Sequence, residues 1–177
     1  LLSHETLKRC LFVASERGYS DVAMYLIGRT TAIHSCGGAP VDLDISEASR
    51  FKEVLTPADR QLVFECVNVA VENGHSSLTT QLIDFYEMYS TGDWGDVNVE
   101  LGTLLGWIRL AVEKGQMSTS VELIARIDNR EMSDDIDDIS IEDTKNLFEC
   151  INVVVRCDCA YVVSSMIGSV YLCGWVT

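Results

Sequence analysis

One short pattern recurs along this chain: an alanine followed four residues later by a glycine, at the end of an apolar run with helical spacing. The three copies occupy 14–18, 70–74 and 111–115, and each is followed by a second apolar run. A fourth copy lacks both marker residues, but its segment 148–153 (Phe-Glu-Cys-Ile-Asn-Val) repeats 64–69 (Phe-Glu-Cys-Val-Asn-Val). A chain that repeats one helix pair is expected to fold as a stack of units rather than around one pocket.

The residues at the ends of these runs are typical of helix termini. A small alanine near the end of a helix lets a neighbouring helix approach closely, and the glycine accepts the left-handed conformation that turns the chain. At the other end, Thr56-Pro-Ala-Asp59 combines an N-cap, a proline at the first helical position and an acid three residues after the cap. Ser140-Ile-Glu-Asp143 has the same capping pattern without the proline.

These signals predict four helix pairs in a single domain, at about 1–29, 56–89, 98–127 and 140–170, with loops at 30–55, 90–97 and 128–139. The first helices are predicted at 6–18, 56–73, 101–114 and 141–156, and the second helices at 20–29, 77–89, 118–127 and 160–170. In the helix at 20–29, Val22, Leu26 and Ile27 form a one-sided apolar stripe. The predicted fold class is all-α, a short α-solenoid of stacked antiparallel helix pairs.

The helix pair resembles an ankyrin repeat. The stretch from Asp96-Val-Asn98 to Gly115 is similar to the family's run from its hairpin through its first helix, and Gly74-His75 is similar to its Gly-His turn. The usual Thr-Pro-Leu-His start is missing, and the repeat is longer than the family's roughly 33 residues. The resemblance implies a divergent ankyrin-repeat protein that recognises another protein through its loop tips and concave face; an α-solenoid of another type is the alternative.

The charge of the chain restricts its partners. Its 27 acidic residues outnumber its 13 basic ones, so the net charge is −14. Nucleic acid and anionic membrane surfaces need basic residues to replace their counterions, which disfavours both as partners. A basic segment of another protein is the natural electrostatic complement.

The seven cysteines indicate a reducing compartment. Their number is odd, and Cys10, Cys66 and Cys150 occupy one position of three repeat copies, where a small buried residue is expected. Buried reduced thiols favour an intracellular protein, cytoplasmic or nuclear, over a secreted disulfide framework.

The candidate partner-binding residues lie in two loops. The segment 128–143 carries eight acids against one base, and we read it as a solvated acidic loop or a contact patch for a basic partner, because it lacks the glycine of a calcium loop. Trp94 lies in a glycine-rich loop, as a lid over the core or an exposed anchor. The predicted partner-binding residues are Asp93, Trp94, Asp96, Asp134, Asp135, Asp137 and Asp138.

No motif for catalysis, a cofactor or a metal is present. The pairs His34/Cys36 and Cys157/Cys159 are the nearest candidates for metal ligands, but neither has the Cys-x-x-Cys spacing of zinc sites. The sequence has no Gly-x-Ser-x-Gly and no phosphate-binding loop. We therefore expect no enzyme activity, no cofactor and no metal.

The ends of the chain suggest a piece of a larger protein. The first residue is Leu1, and the stretch 160–176 has no charged residue. That stretch is expected to be the last helix and its exit rather than a membrane span, since it is short for a span and contains several Ser and Gly. This gives an alternative function, a structural or regulatory segment of a larger channel or enzyme that makes intramolecular contacts.

Overall fold

A computed structural model describes residues 3–35, 55–89, 99–128 and 141–156, together with Val162 and Ser164. Within these ranges the protein has seven helices and no strand, which confirms the all-α class for the described part of the chain. In chain order they are α1 (His4–Arg17), α2 (Ser20–Ser35), α3 (Pro57–Glu72), α4 (Ser76–Tyr89), α5 (Leu101–Glu113), α6 (Met117–Asp128) and α7 (Ile141–Arg156). Most of the predicted helix at 160–170 lies outside the described residues.

The chain divides into two compact units. The first consists of Leu1–Ala70 and Ser77–Asn98, and the second of Val71–Ser76 and Val99–Thr177. In the first unit α1 packs against α2, and the rings of Phe64 and Tyr86 join α3 to α4 with 4.6 Å between centroids. In the second unit α5 packs against both α6 and α7.

The recurring glycine ends three helices in the left-handed conformation, as predicted. Gly18, Gly74 and Gly115 have φ angles of 69°, 76° and 74°. After α1, the Tyr19 N–H donates to the Ala14 carbonyl oxygen at 2.9 Å. This bond spans six residues and is the defining bond of a Schellman motif.

The same arrangement closes α5. The Gln116 N–H donates to the Ala111 carbonyl oxygen at 2.7 Å, and the Gly115 N–H donates to the Val112 carbonyl oxygen at 3.0 Å. In a Schellman motif, the residue whose carbonyl accepts the six-residue bond lies four positions before the left-handed residue. The alanine and the glycine of the recurring pattern have this spacing. The alanine side chains face the interior, as predicted: Ala14 is 3% exposed, and Ala70 and Ala111 are fully buried.

The predicted capping pattern at the start of α3 is present. Pro57 is the first helical residue, and the Asp59 N–H donates to Thr56 Oγ1 at 3.2 Å. The Thr56 N–H and hydroxyl both donate to Asp59 Oδ2, at 3.2 and 2.7 Å. These reciprocal bonds satisfy backbone donors that the helix itself leaves unpaired, so the sequence signal and the geometry agree.

Within the second unit, the turn after α3 lies against the turn after α5. Gln116 Nε2 donates to the Glu72 carbonyl oxygen at 3.2 Å, which satisfies one of the last carbonyls of α3. A Cβ atom added at Gly74 would collide with the Gln116 carboxamide, whereas one added at Gly115 would meet nothing within 4 Å. Two equivalent turns of the repeat are therefore in direct contact.

Three details differ from the prediction. Helix α2 continues to Ser35, past the predicted end at Arg29. Val22 is 50% exposed, so it does not belong to the buried side of α2, which instead carries Ala23, Ile27 and other fully buried residues. Cys10 is exposed, although the equivalent Cys66 and Cys150 are buried as predicted.

Replacing Gly74 with alanine is expected to lower the free energy of unfolding more than replacing Gly115. Both substitutions strain a left-handed residue, by about 1–2 kcal/mol. Only the first also displaces the Gln116 side chain and its bond to the Glu72 carbonyl. Urea unfolding of the two variants measures the difference, and the difference should disappear when Gln116 is also alanine. Equal losses in the wild-type background would contradict the contact between the turns.

Replacing Ala111 with leucine is expected to destabilise the fold by about 1–3 kcal/mol, because the larger side chain overpacks a fully buried position. Gly106→Leu is the matched control, since Gly106 lies exposed in the same helix and a Cβ there meets nothing within 4 Å. Thermal unfolding should separate the two variants. A control as unstable as Ala111→Leu would show that helix α5 itself, and not its packing, is affected.

Candidate functional site

All the predicted partner-binding residues lie outside the described part of the chain. Asp93, Trp94 and Asp96 fall in 90–98, and Asp134, Asp135, Asp137 and Asp138 fall in 129–140. Their assignment as a binding site stays a prediction. The described helices contribute two further surface features, one aromatic and one polar.

The aromatic feature is a cluster of exposed side chains on α2 and the turn before it. Tyr19, Val22 and Tyr25 are 61%, 50% and 62% exposed, and they follow one another at intervals of three residues. The Arg29 guanidinium lies over the Tyr25 ring, 5.8 Å from its centroid, and stabilises it by a cation–π interaction. We call Tyr19, Val22 and Tyr25 the aromatic patch.

The opposite side of α2 keeps the aromatic patch facing solvent. Ala23, Ile27 and Thr30 are fully buried, and the Thr30 hydroxyl donates to the Leu26 carbonyl oxygen at 2.7 Å. Since buried residues recur every three to four positions on one side of the helix, residues 22 and 25 must lie on the other. The hydration of an exposed aromatic ring is unfavourable, and aromatic residues are common at the centres of protein interfaces.

The aromatic patch was missed in the sequence because Val22 fits the apolar spacing of Leu26 and Ile27. A signal was nevertheless present. Tyr19 and Tyr25 each lie three residues from Val22, so these three side chains share one side of the chain. Ala23 and Ile27, which are four residues apart, mark a different side. Two separate apolar sides on one helix indicate a core side and a contact side.

The polar feature is the exposed side of α3 in the first unit. Gln61, Glu65 and Asn68 are exposed at helical intervals, and Gln61 Nε2 donates to Glu65 Oε1 at 3.1 Å. This side carries a negative charge and hydrogen-bonding groups without a large apolar side chain. It is suited to contacts at the rim of an interface rather than at its centre.

Burial favours the protonated thiol of both Cys66 and Cys150, by raising its pKa. Burial raises the pKa of the Cys66 thiol from 9.0 to about 12, with a smaller lowering from Ser15 and a small rise from the Glu65 carboxylate. The Ser15 hydroxyl lies beside the Cys66 thiol. Among the described residues, this hydroxyl makes no hydrogen bond of standard geometry. Burial likewise raises the pKa of Cys150 to about 12, against a lowering by the Arg109 charge. Thiols that keep their protons at neutral pH are poor nucleophiles and poor metal ligands.

No group of three or more His, Cys, Asp or Glu side chains in the described ranges is placed to hold a metal ion. Three members of the two candidate pairs, Cys36, Cys157 and Cys159, lie outside those ranges. The described helices contribute two surface features, the aromatic patch and the polar side of α3.

Comparison with known proteins finds no family model, no curated protein and no solved structure that matches this chain. The resemblance to ankyrin repeats therefore depends on the residues and motifs of the chain itself. None of the helices in the described part combines the length and the apolar character needed to cross a membrane.

The raised pKa of Cys66 predicts a loss of stability at alkaline pH. The folded protein holds this proton up to about pH 12, while the unfolded chain releases it near pH 9.0, so stability is full below pH 9.0 and falls as the pH rises toward 12. Cys66→Ala should show a less steep decline over this interval. Cys10→Ala is the control, because this thiol is exposed. Urea unfolding across the pH series measures the slopes, and parallel slopes for Cys66→Ala and wild type would contradict the prediction.

Proposed function

We infer that this chain is a protein-recognition module, in which stacked ankyrin-like helix pairs present their loop tips and concave face to a partner with a basic segment. The observation that carries the proposal is the contact between equivalent turns, from Gln116 Nε2 to the Glu72 carbonyl oxygen. In a repeat stack, successive copies of the repeat contact each other through equivalent elements.

The packing of first helices supports the same arrangement. Helices α5 and α7 are the first helices of neighbouring pairs and pack against each other, and Arg109 Nη1 lies 3.7 Å from Glu149 Oε2 between them. In the first unit, the Ser15 hydroxyl of α1 lies beside the Cys66 thiol of α3. The ion pair is half exposed and contributes little to the free energy of folding. Its position nevertheless indicates which sides of α5 and α7 face each other.

The charge of the chain supports a basic partner. A net charge of −14 on 177 residues attracts a basic segment over long range and accelerates its association. The acidic residues at 134, 135, 137 and 138 are the densest part of this charge. Charge mainly speeds association, whereas buried aromatic side chains often contribute much of the affinity of an interface. The exposed rings of the aromatic patch could make this contribution.

Charge reversal tests the electrostatic part of the proposal. Converting Asp134, Asp135, Asp137 and Asp138 to lysine is expected to weaken partner binding at low salt, where salt screens charge interactions least, and to leave thermal stability nearly unchanged. The matched control reverses four exposed acids on the helices and changes the net charge equally. Those residues are Glu16, Glu72, Glu113 and Glu122.

The measurement is a pull-down with the wild-type chain and both variants, at low and at high salt, with the bound proteins quantified by mass spectrometry. A basic protein that is lost with the first variant but retained with the control supports the acidic site. Equal loss with both variants would assign binding to net charge alone. Binding that survives charge reversal at low salt would exclude the acidic site, and the structural or regulatory segment of a larger protein would then be the better explanation.

A further inference from the structure

One of the three glycine turns carries a chemically reactive pair of residues. Asn73 directly precedes Gly74, and this is the one Asn-Gly pair in the sequence. The residues before the other two turn glycines are Arg17 and Lys114, whose positive charges are favourable near the last carbonyl groups of a helix. Asparagine has no such charge. The chemistry of the turn after α3 therefore differs from that of the turns after α1 and α5.

An asparagine followed by glycine can lose ammonia without an enzyme, because glycine has no Cβ to obstruct the approach of its own backbone nitrogen. The Gly74 nitrogen forms a bond to Cγ of Asn73, the bond from Cγ to Nδ2 breaks, and ammonia leaves with the proton of the Gly74 N–H. Water then opens the cyclic imide at either of its two carbonyl carbons. The product is an aspartate or an isoaspartate at position 73, and water is the only other reactant.

The folded turn opposes the first step of this reaction. The Gly74 N–H donates to the Val71 carbonyl oxygen at 3.1 Å, and Gly74 has the left-handed φ angle of 76°. To attack Cγ of Asn73, the nitrogen must give up this hydrogen bond and lose its proton. The reaction therefore requires the turn to open locally, and its rate depends on how often the turn opens.

The neighbouring turn of the second unit keeps this turn closed. Gln116 Nε2 donates at 3.2 Å to the carbonyl oxygen of Glu72, the residue before Asn73. The Gln116 carboxamide also occupies the space beside Gly74, where an added Cβ atom would collide with it. Asn73 itself is exposed, so water reaches it. The reactive pair is thus accessible to solvent and is restrained by a contact from the next copy of the repeat.

We propose that Asn73 and Gly74 form a site of spontaneous deamidation, which the Gln116 contact keeps slow in the folded chain and which releases that contact once it has occurred. The product places a negative charge next to Glu72 at the end of α3, where the helix dipole makes an anion unfavourable. An isoaspartate also lengthens the main chain before Gly74, so the Gly74 N–H no longer has the spacing that brings it to the Val71 carbonyl.

Peptide mass spectrometry of the folded chain, incubated in mildly alkaline buffer, measures the rate of deamidation at Asn73. Gln116→Ala is expected to deamidate about two- to tenfold faster than wild type, the range that corresponds to the loss of one hydrogen bond. Gln61→Ala is the matched control, because it removes an exposed glutamine of α3 and should react at the wild-type rate. Asn68 and Asn152 are internal controls, since both are exposed and each is followed by valine.

Urea unfolding separates local opening of the turn from unfolding of the whole chain. Wild type in concentrated urea gives the deamidation rate of the open turn, and multiplying it by the unfolded fraction in buffer gives the rate that global unfolding alone explains. Folded Gln116→Ala should exceed that rate. The proposal would be overturned by equal rates in folded wild type and Gln116→Ala, by a Gln116→Ala rate that global unfolding explains, or by a folded wild type that reacts as fast as the unfolded chain.

The release of the contact has its own measurement. Ion-exchange chromatography separates the deamidated chains by their added negative charge, and their urea midpoint is expected to be lower than that of unmodified chains. Asn73→Gln, aged in the same way, should keep its midpoint, because its longer side chain does not form the five-membered imide. Equal midpoints of modified and unmodified wild type would contradict the release. The acidic loops named for partner recognition are unchanged in these variants, so failure here leaves that function to be judged by its own pull-down.

Discussion

The left-handed glycine that ends the first helix of a pair is the constraint on which the other described features depend. Once Gly18 or Gly115 adopts positive φ, the next N–H reaches back to the carbonyl of the marker alanine, and the chain reverses within two residues. The same alanine must then be small, because it faces the helices that the reversal brings close. Backbone geometry and core packing therefore impose the alanine and the glycine together, and this explains why the pair recurs at a fixed spacing.

Features governed by local chemistry could be predicted from the sequence. The glycine turns, the capping residues Thr56 and Asp59, and both ends of α7 agree with the structure, since each depends on atoms within one helical turn of its own position. The end of α2 could not be predicted in the same way. No glycine or proline follows Arg29 closely enough to stop the helix, and it continues to Ser35.

Burial was harder to predict than helix position, because periodicity identifies an apolar side but not the neighbour that covers it. Val22 matches the spacing of Ile27, yet it is half exposed while Ile27 is fully buried. Cys10 has the sequence position of Cys66 and is exposed. The same limit applies to the candidate site. Charge could be read directly from the acidic loops, but the aromatic patch becomes visible only when the exposure of Tyr19 and Tyr25 is known.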